Sequence, residues 1–348
     1  MHIKLLIGLE RFDIEDGEIP EAPIKLGEFS LRPTVENDLR YAELFNDMYL
    51  LVMLKYKAEV EYEQNESDFV IGVEKLYPRL KNKKYTIKEG DDLVFIESEG
   101  SKRAINKDEY LGNNRFIDSA KITMDAIKNK VKPLVTALHL YQRGFVNPFP
   151  TVIKITRDDG VEMSPIIRGI YVSKSGADFY SLRMDELDGF SKFITDTIKI
   201  LPRAIKDEPA FNYLNRGLMD SDLTTDIISF NDNKFAILDY IAGMESLFDI
   251  GGELRFTLSL YAAFALGQNY EERKKCKDLI SELYGIRSKI AHGDDVGKTE
   301  EELEDLSKKA EDILRRLLNN YLQYLAKGRR KEDFKKDIEA KILGKEAL

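Results

Sequence analysis

Apolar residues alternate with polar ones through much of the first half of the chain, and recur every three or four positions through the second. From Leu54 to Glu63 the stretch L-K-Y-K-A-E-V-E-Y-E alternates without a break. That pattern predicts a strand turning Leu54, Tyr56, Ala58, Val60 and Tyr62 toward a core. Asp92 to Glu97 predicts a second strand, after the turn-forming E-G-D-D. Residues 151–156, 166–172 and 178–182 predict three more, with D-D-G at 158–160 as a turn. Phe116 to Gln142 predicts a helix whose stripe is Ala120, Met124, Ile127, Val131, Leu134 and Leu138, with Pro133 kinking or dividing it.

From about Met184 the strand signals stop. Leu187, Phe190, Ile194 and Leu201 predict one helix up to Pro202. Asp222 to Phe230 and Asn233 to Phe248 predict two more, the second capped by Asn231 or Asp232. After the Gly251-Gly252 turn, Glu253 to Leu266 is apolar on most sides and predicts a buried helix ended by Gly267. Leu279, Leu283, Ile286 and Ile290 mark the packed face of a helix that runs out at His292, because Gly293 tolerates positive φ. Thr299 and Glu302 form a capping-box pattern. The helix it opens carries Leu303, Leu306, Ala310, Ile313, Leu317, Tyr321 and Tyr324. Residues 327–348 carry charges of both signs and predict a solvated helical tail. The fold class is α+β: a mixed α/β region over 1–183, an all-α helical bundle over 184–326, then the charged tail.

Composition narrows the class. The 348 residues suffice for two cores, with 43% hydrophobic and 33% charged content. A net charge of -9 disfavours a protein that grips nucleic acid over its whole surface; a basic patch has to act against the global field. The single cysteine, Cys276, rules out an intrachain disulfide and fits a reducing compartment. The apolar run at the start is short and broken by Glu10, and no segment approaches the roughly 20 apolar residues that span a bilayer. These features predict a cytoplasmic protein with no membrane partner.

The three histidines are His2, His139 and His292, too scattered to suggest a metal site. A phosphate-binding glycine loop is absent from the sequence. Asp158-Asp159 reads as a turn and Asp294-Asp295 as a post-helix loop, with magnesium binding the alternative for either. Neither cofactor nor metal is predicted. His292 has the setting that suits chemistry, at a helix end and separated from Arg287 by four residues. Histidine titrates near neutral pH, and an arginine forks onto phosphate oxygens. Such a pair can take the proton from an RNA 2′-hydroxyl and stabilise the charge that builds on phosphorus. Five positions along a helix are about 140° of rotation and about 7.5 Å of rise. The two side chains therefore converge through a frayed helix end or in a cleft completed by a second subunit, which a two-fold axis would supply. The plainer reading is a helix-end histidine over carbonyls and an arginine in a surface ion pair.

The run E-L-R-F-T-L-S-L-Y-A-A-F-A-L-G, followed by I-S-E-L-Y-G-I-R-S-K-I-A-H-G, resembles the HEPN superfamily, in particular its Apea-like branch. The preceding A-I-L-D-Y-I-A-G-M-E-S-L-F resembles it as well, and the likeness spans about residues 205–326. It implies an all-helical domain that dimerises, or forms a higher homo-oligomer, and sets an R-x-x-x-x-H motif in the shared cleft. It also implies a metal-independent endoribonuclease of anti-phage defence or abortive infection. Arg287 and His292 match the two defining positions. Ser288 stands where the family usually carries a polar residue, asparagine or aspartate being more typical. Glu245 and Glu253 are candidate supporting carboxylates, and Arg255 and Lys289 candidate RNA contacts. RNA is the implied substrate, and a defence-system protein or a phage trigger the implied partner, sensed through residues 1–183. Inactive members imply the alternative: a dimerising module that binds nucleotide, RNA or protein without cleavage.

Overall fold

The computed structural model describes residues 2–9, 12–15, 23–33, 49–57, 85–89, 93–98, 101–106, 127–144, 146, 151–156, 162–163, 166–167, 172–173, 180–220, 232–250 and 253–345. By its contacts the chain divides into two compact units, one of residues 1–5, 54–128 and 152–166, the other of 6–53, 129–151 and 167–348. The architecture is broadly α+β and mostly helical, with the strands concentrated toward the N-terminus.

The first unit holds an antiparallel meander of Tyr85–Glu89, Leu93–Ser98 and Ser101–Asn106, in which Tyr85 pairs with Ser98 and Leu93 with Asn106. Strand Thr151–Thr156 pairs with Glu162–Met163. The strands expected from Asp92 and Thr151 are thus present. The one expected from Leu54 begins earlier, at Tyr49, and is described to Lys57; the rest of that alternation lies outside the described residues. Its start was illegible because Leu50–Leu54 is a continuous apolar run, which period-2 reasoning cannot assign. The D-D-G turn also lies outside the described residues.

In the second unit, Ile24–Leu26, Phe29–Pro33 and the start of Tyr49–Lys57 form an antiparallel ribbon, with Phe29 opposite Met53. Phe12–Glu15 pairs in parallel with Tyr180–Arg183, and the Phe12 and Tyr180 rings stack at 5.5 Å. Nine α-helices follow among the described residues: α1 Lys132–Tyr141, α2 Leu187–Thr197, α3 Leu201–Asp207, α4 Ala210–Leu218, α5 Asp232–Phe248, α6 Leu254–Leu266, α7 Tyr270–His292, α8 Glu300–Ala326 and α9 Lys331–Ile342.

Prolines and caps explain several boundaries. Pro133 stands in the first turn of α1, directly after a π-helical turn over Ile127–Val131, where its missing N–H breaks no hydrogen bond. The single helix expected up to Pro202 is two: α2 ends at Thr197, and Pro202 sits in the first turn of α3. An apolar stripe is blind to a break in which both pieces bury Leu and Ile on the same core. The Asp222–Phe230 segment and Asn231 fall outside the described residues. The Thr299 box forms as expected, with its hydroxyl accepting from Glu302 N at 3.2 Å and the Glu302 carboxylate accepting from Thr299 N at 2.9 Å. It opens the 27-residue α8, which buries Leu303, Leu306, Ala310, Ile313, Leu317 and Tyr321. Around α8 pack α4 and α5, while α6 lies along α7.

His139 is fully buried, beside Leu138 and Leu140 in α1. Its Nδ1 donates to Asn215 Oδ1 at 3.0 Å, and Asn215 donates on to Thr136 Oγ1 at 2.8 Å. Burial, countered in part by the Asn215 bond, pulls its pKa down to about 4. The unfolded chain takes up the proton near pH 6.5 and the folded chain does not, so stability is complete above that pH and falls as the pH drops toward 4. The loss expected from this residue is about 3 kcal/mol by pH 4. Urea unfolding at pH 7, 5 and 4 checks it: His139→Leu should flatten the curve relative to wild type over that window.

Candidate functional site

The C-terminal half of α7 carries the arginine and histidine. Asn269 caps the helix by accepting from Glu272 N, and the helix then runs unbroken for 23 residues to His292. Its end is the expected one. Gly293 adopts φ 74, its N–H reaches Ile290 O at 3.1 Å, and Asp294 N reaches Lys289 O at 2.9 Å. This paired closure needs a left-handed residue, which glycine supplies without steric cost. Because the helix stays regular to His292, the two side chains leave it about 140° apart. A frayed end bringing them together within one chain is not what forms.

Rotation around α7 sorts its residues into faces. Ile280, Leu283 and Ile286 are buried and define the packed side. At about 100° per residue, Lys277, Ser281, Tyr284, Ser288 and His292 form a stripe on the opposite side. Arg287, four residues after Leu283, lies on the packed side, where its long side chain keeps one-third of its surface exposed. His292 itself is exposed.

Arg287 is held in place by neighbours. Its Nη2 lies 3.6 Å from Glu245 Oε2, on the last turn of α5, and its guanidinium carbon lies 5.7 Å from the centre of the Tyr284 ring. The other Glu245 oxygen is shielded from solvent and has no hydrogen-bond partner. At 3.6 Å the contact is an ion pair and not a hydrogen bond, so Glu245 orients the guanidinium by charge and leaves its N–H groups available to an anion.

An open groove of about 1150 Å³ runs between the start of α6 and the middle of α7. Glu253, Arg255 and Phe256 form one wall, and Lys277, Ser281 and Tyr284 the other. Tyr284 joins the groove to Arg287. Two of the predicted residues, Glu253 and Arg255, are thus brought to one wall, and Glu245 is brought to Arg287. Glu253 stands at the N-cap position of α6, but its side chain does not cap. Ser288 is half-buried on the groove side of α7. Lys289 is exposed and reaches Val296 O at 3.5 Å, a contact with the loop after the helix. The aromatic wall residues Phe256 and Tyr284 were not singled out from sequence. The apolar run of 253–266 predicts a buried Phe256, yet it is 55% exposed, because α6 buries mainly Leu258, Ala262, Ala263 and Leu266 and turns its first-turn aromatic outward.

Cys276 lies on the far side of α7 from this groove, and burial pushes its thiol up to about 11, which makes it a poor nucleophile. Among the described residues, no group of three or more His, Cys, Asp or Glu is placed to hold a metal ion. Likewise none of the described helices is long and apolar enough to cross a membrane. The chain matches no protein-family model, no curated protein and no solved structure.

Proposed function

We propose that the chain is an endoribonuclease of HEPN type that cleaves RNA without a metal ion and works as a dimer. The observation that carries this reading is the placement of two groups on one helix end. Arg287 is paired with Glu245 at 3.6 Å and is one-third exposed, and five residues on an exposed His292 occupies the last turn. In the proposed reaction His292 takes the proton of a ribose 2′-hydroxyl. The 2′ oxygen attacks the adjacent phosphorus, the bond to the 5′ oxygen breaks, and the leaving oxygen takes a proton from the imidazolium so formed or from that of the second copy. Arg287 stabilises the charge on the phosphorane. The products are a 2′,3′-cyclic phosphate and a 5′-hydroxyl. A second copy brings another Arg287 and His292 to the same cleft, answering the 140° divergence within one chain. The setting is anti-phage defence, with the N-terminal region receiving the trigger or a partner protein.

The full chain in EDTA is expected to yield fragments with cyclic phosphate ends, and none from an oligonucleotide whose scissile residue is 2′-deoxy. Expression in cells, scored for growth and RNA integrity, supplies the trigger if the host holds one. Intact RNA and equal growth with wild type and with His292→Ala, in cells challenged with phage, would sink the reading. One observation favours a second reading, a module that binds RNA or nucleotide without cutting it. The Glu245 carboxylate already occupies Arg287. Retention of RNA on the full chain with no cyclic phosphate formed would select that reading.

A further inference from the structure

The charged tail is not a solvated helix. Lys331, Phe334, Lys335 and Ile338, spaced to share one face of α9, turn inward, and Phe334 is 3% exposed. That face meets the last turn of α5 residue by residue. Lys331 Nζ donates to Ser246 O at 2.7 Å and to Glu208 Oε2 at 2.6 Å. Ser246 Oγ donates to the other Glu208 oxygen at 2.8 Å. The Phe334 ring stacks on Phe248 at 6.1 Å and 7°. Lys335 Nζ donates to Asp249 O at 3.2 Å, at a residue held in the left-handed region with φ 47. Tyr261 of α6 adds a bond to Glu339 at 2.8 Å.

These contacts take the carbonyls that a helix end leaves open, and put two ammonium groups at the negative end of its dipole. They also sit in a telling place. Glu245, the carboxylate on Arg287, directly precedes Ser246. We propose that α9 is a clamp on the last turn of α5, and that Lys331 is a positioning residue that sets Glu245 and, through it, Arg287. The effect on cleavage rests on the ribonuclease reading above; the clamp does not.

The test uses the full chain with Lys331→Met, which keeps the aliphatic stem and removes the ammonium, and with Phe334→Ala. Lys336→Met, on the exposed side of α9, is the control. Amide exchange over residues 246–249 is expected to quicken about tenfold or more in both inward variants, the weight of a charge-assisted bond or a buried ring. The side-chain NMR signal of Arg287 should move with it. Glu245→Gln should move the Arg287 signal and leave exchange at 246–249 unchanged. Lys331→Arg should restore both. In RNA cleavage Lys331→Met should lower kcat about tenfold or more with KM within about twofold, the mark of a misplaced group rather than lost binding. Wild-type exchange and an unmoved Arg287 signal in both inward variants would overturn the clamp. Should Lys331→Met not fold, Lys335→Met removes only the Asp249 contact and carries the same exchange and NMR test. A wild type that cuts no RNA would overturn the ribonuclease reading alone, since exchange and NMR still decide the clamp.

Discussion

Replacing His292 with alanine is expected to slow RNA cleavage by about 10²–10⁴-fold, the contribution of a positioned general base. Arg287→Ala is expected to lose about 10²–10³-fold, as for removal of one charged donor at the phosphorane. The double variant should be little worse than the worse single one, because in the proposed reaction the two groups serve one transition state. Arg287→Lys separates charge from shape. An ammonium is a point charge that cannot fork between Glu245 and a phosphate oxygen, so it should recover only part of the rate. Initial rates on a fluorescent RNA, with folding checked by circular dichroism, measure all four. Equal rates in wild type and both alanine variants would assign any cleavage to another site.

Gly217→Ala should unfold the bundle more readily than any other single-methyl change among the glycines facing its core. A Cβ there meets the Tyr240 ring at 2.2 Å from Cε1 and 2.6 Å from Cζ, and that ring is 2% exposed. Tyr240 has nowhere to swing, so α4 and α5 must part. Overpacking of this kind costs about 1–3 kcal/mol, and so close an approach belongs at the top of that range or above it. Alanine's better helix propensity returns about 1 kcal/mol. The packing term wins, leaving a net loss of about 2 kcal/mol. Gly285→Ala has the opposite sign. Nothing lies within 4 Å of a Cβ at that position of α7, so only the propensity gain of about 1 kcal/mol remains. Urea midpoints of the two variants should fall on opposite sides of wild type.

Much of α7 and α8 was legible in the sequence, because their stripes are amphipathic and their ends carry Gly293 and Thr299. Local signals of that kind survive whatever the rest of the chain does. The docking of α9 was not legible. Its two apolar anchors, Phe334 and Ile338, sit among charges that resemble any solvated helix, and Lys331 finds its carboxylate far away in sequence. His139 was visible as a histidine between leucines, but its burial depends on Asn215 and Thr136. At the candidate site, the spacing of Arg287 and His292 was readable, and Glu245 stood among the candidates. Its contact with Arg287 required knowing how α5 crosses α7. The outward turn of Phe256 was hidden, because an all-apolar helix does not say which side its neighbours cover.

The pairing of Glu208 with Lys331 has a consequence in time. Glu208 is wholly buried, and its ammonium partner lies 123 positions later in the chain. On a ribosome adding about 5–20 residues per second, the carboxylate emerges roughly 6–25 s before the group that neutralises it. Until then the junction of α3, α4 and α5 holds an uncompensated charge and stays hydrated. Final closure of the helical unit therefore waits for Lys331, well after α3, α4 and α5 have emerged.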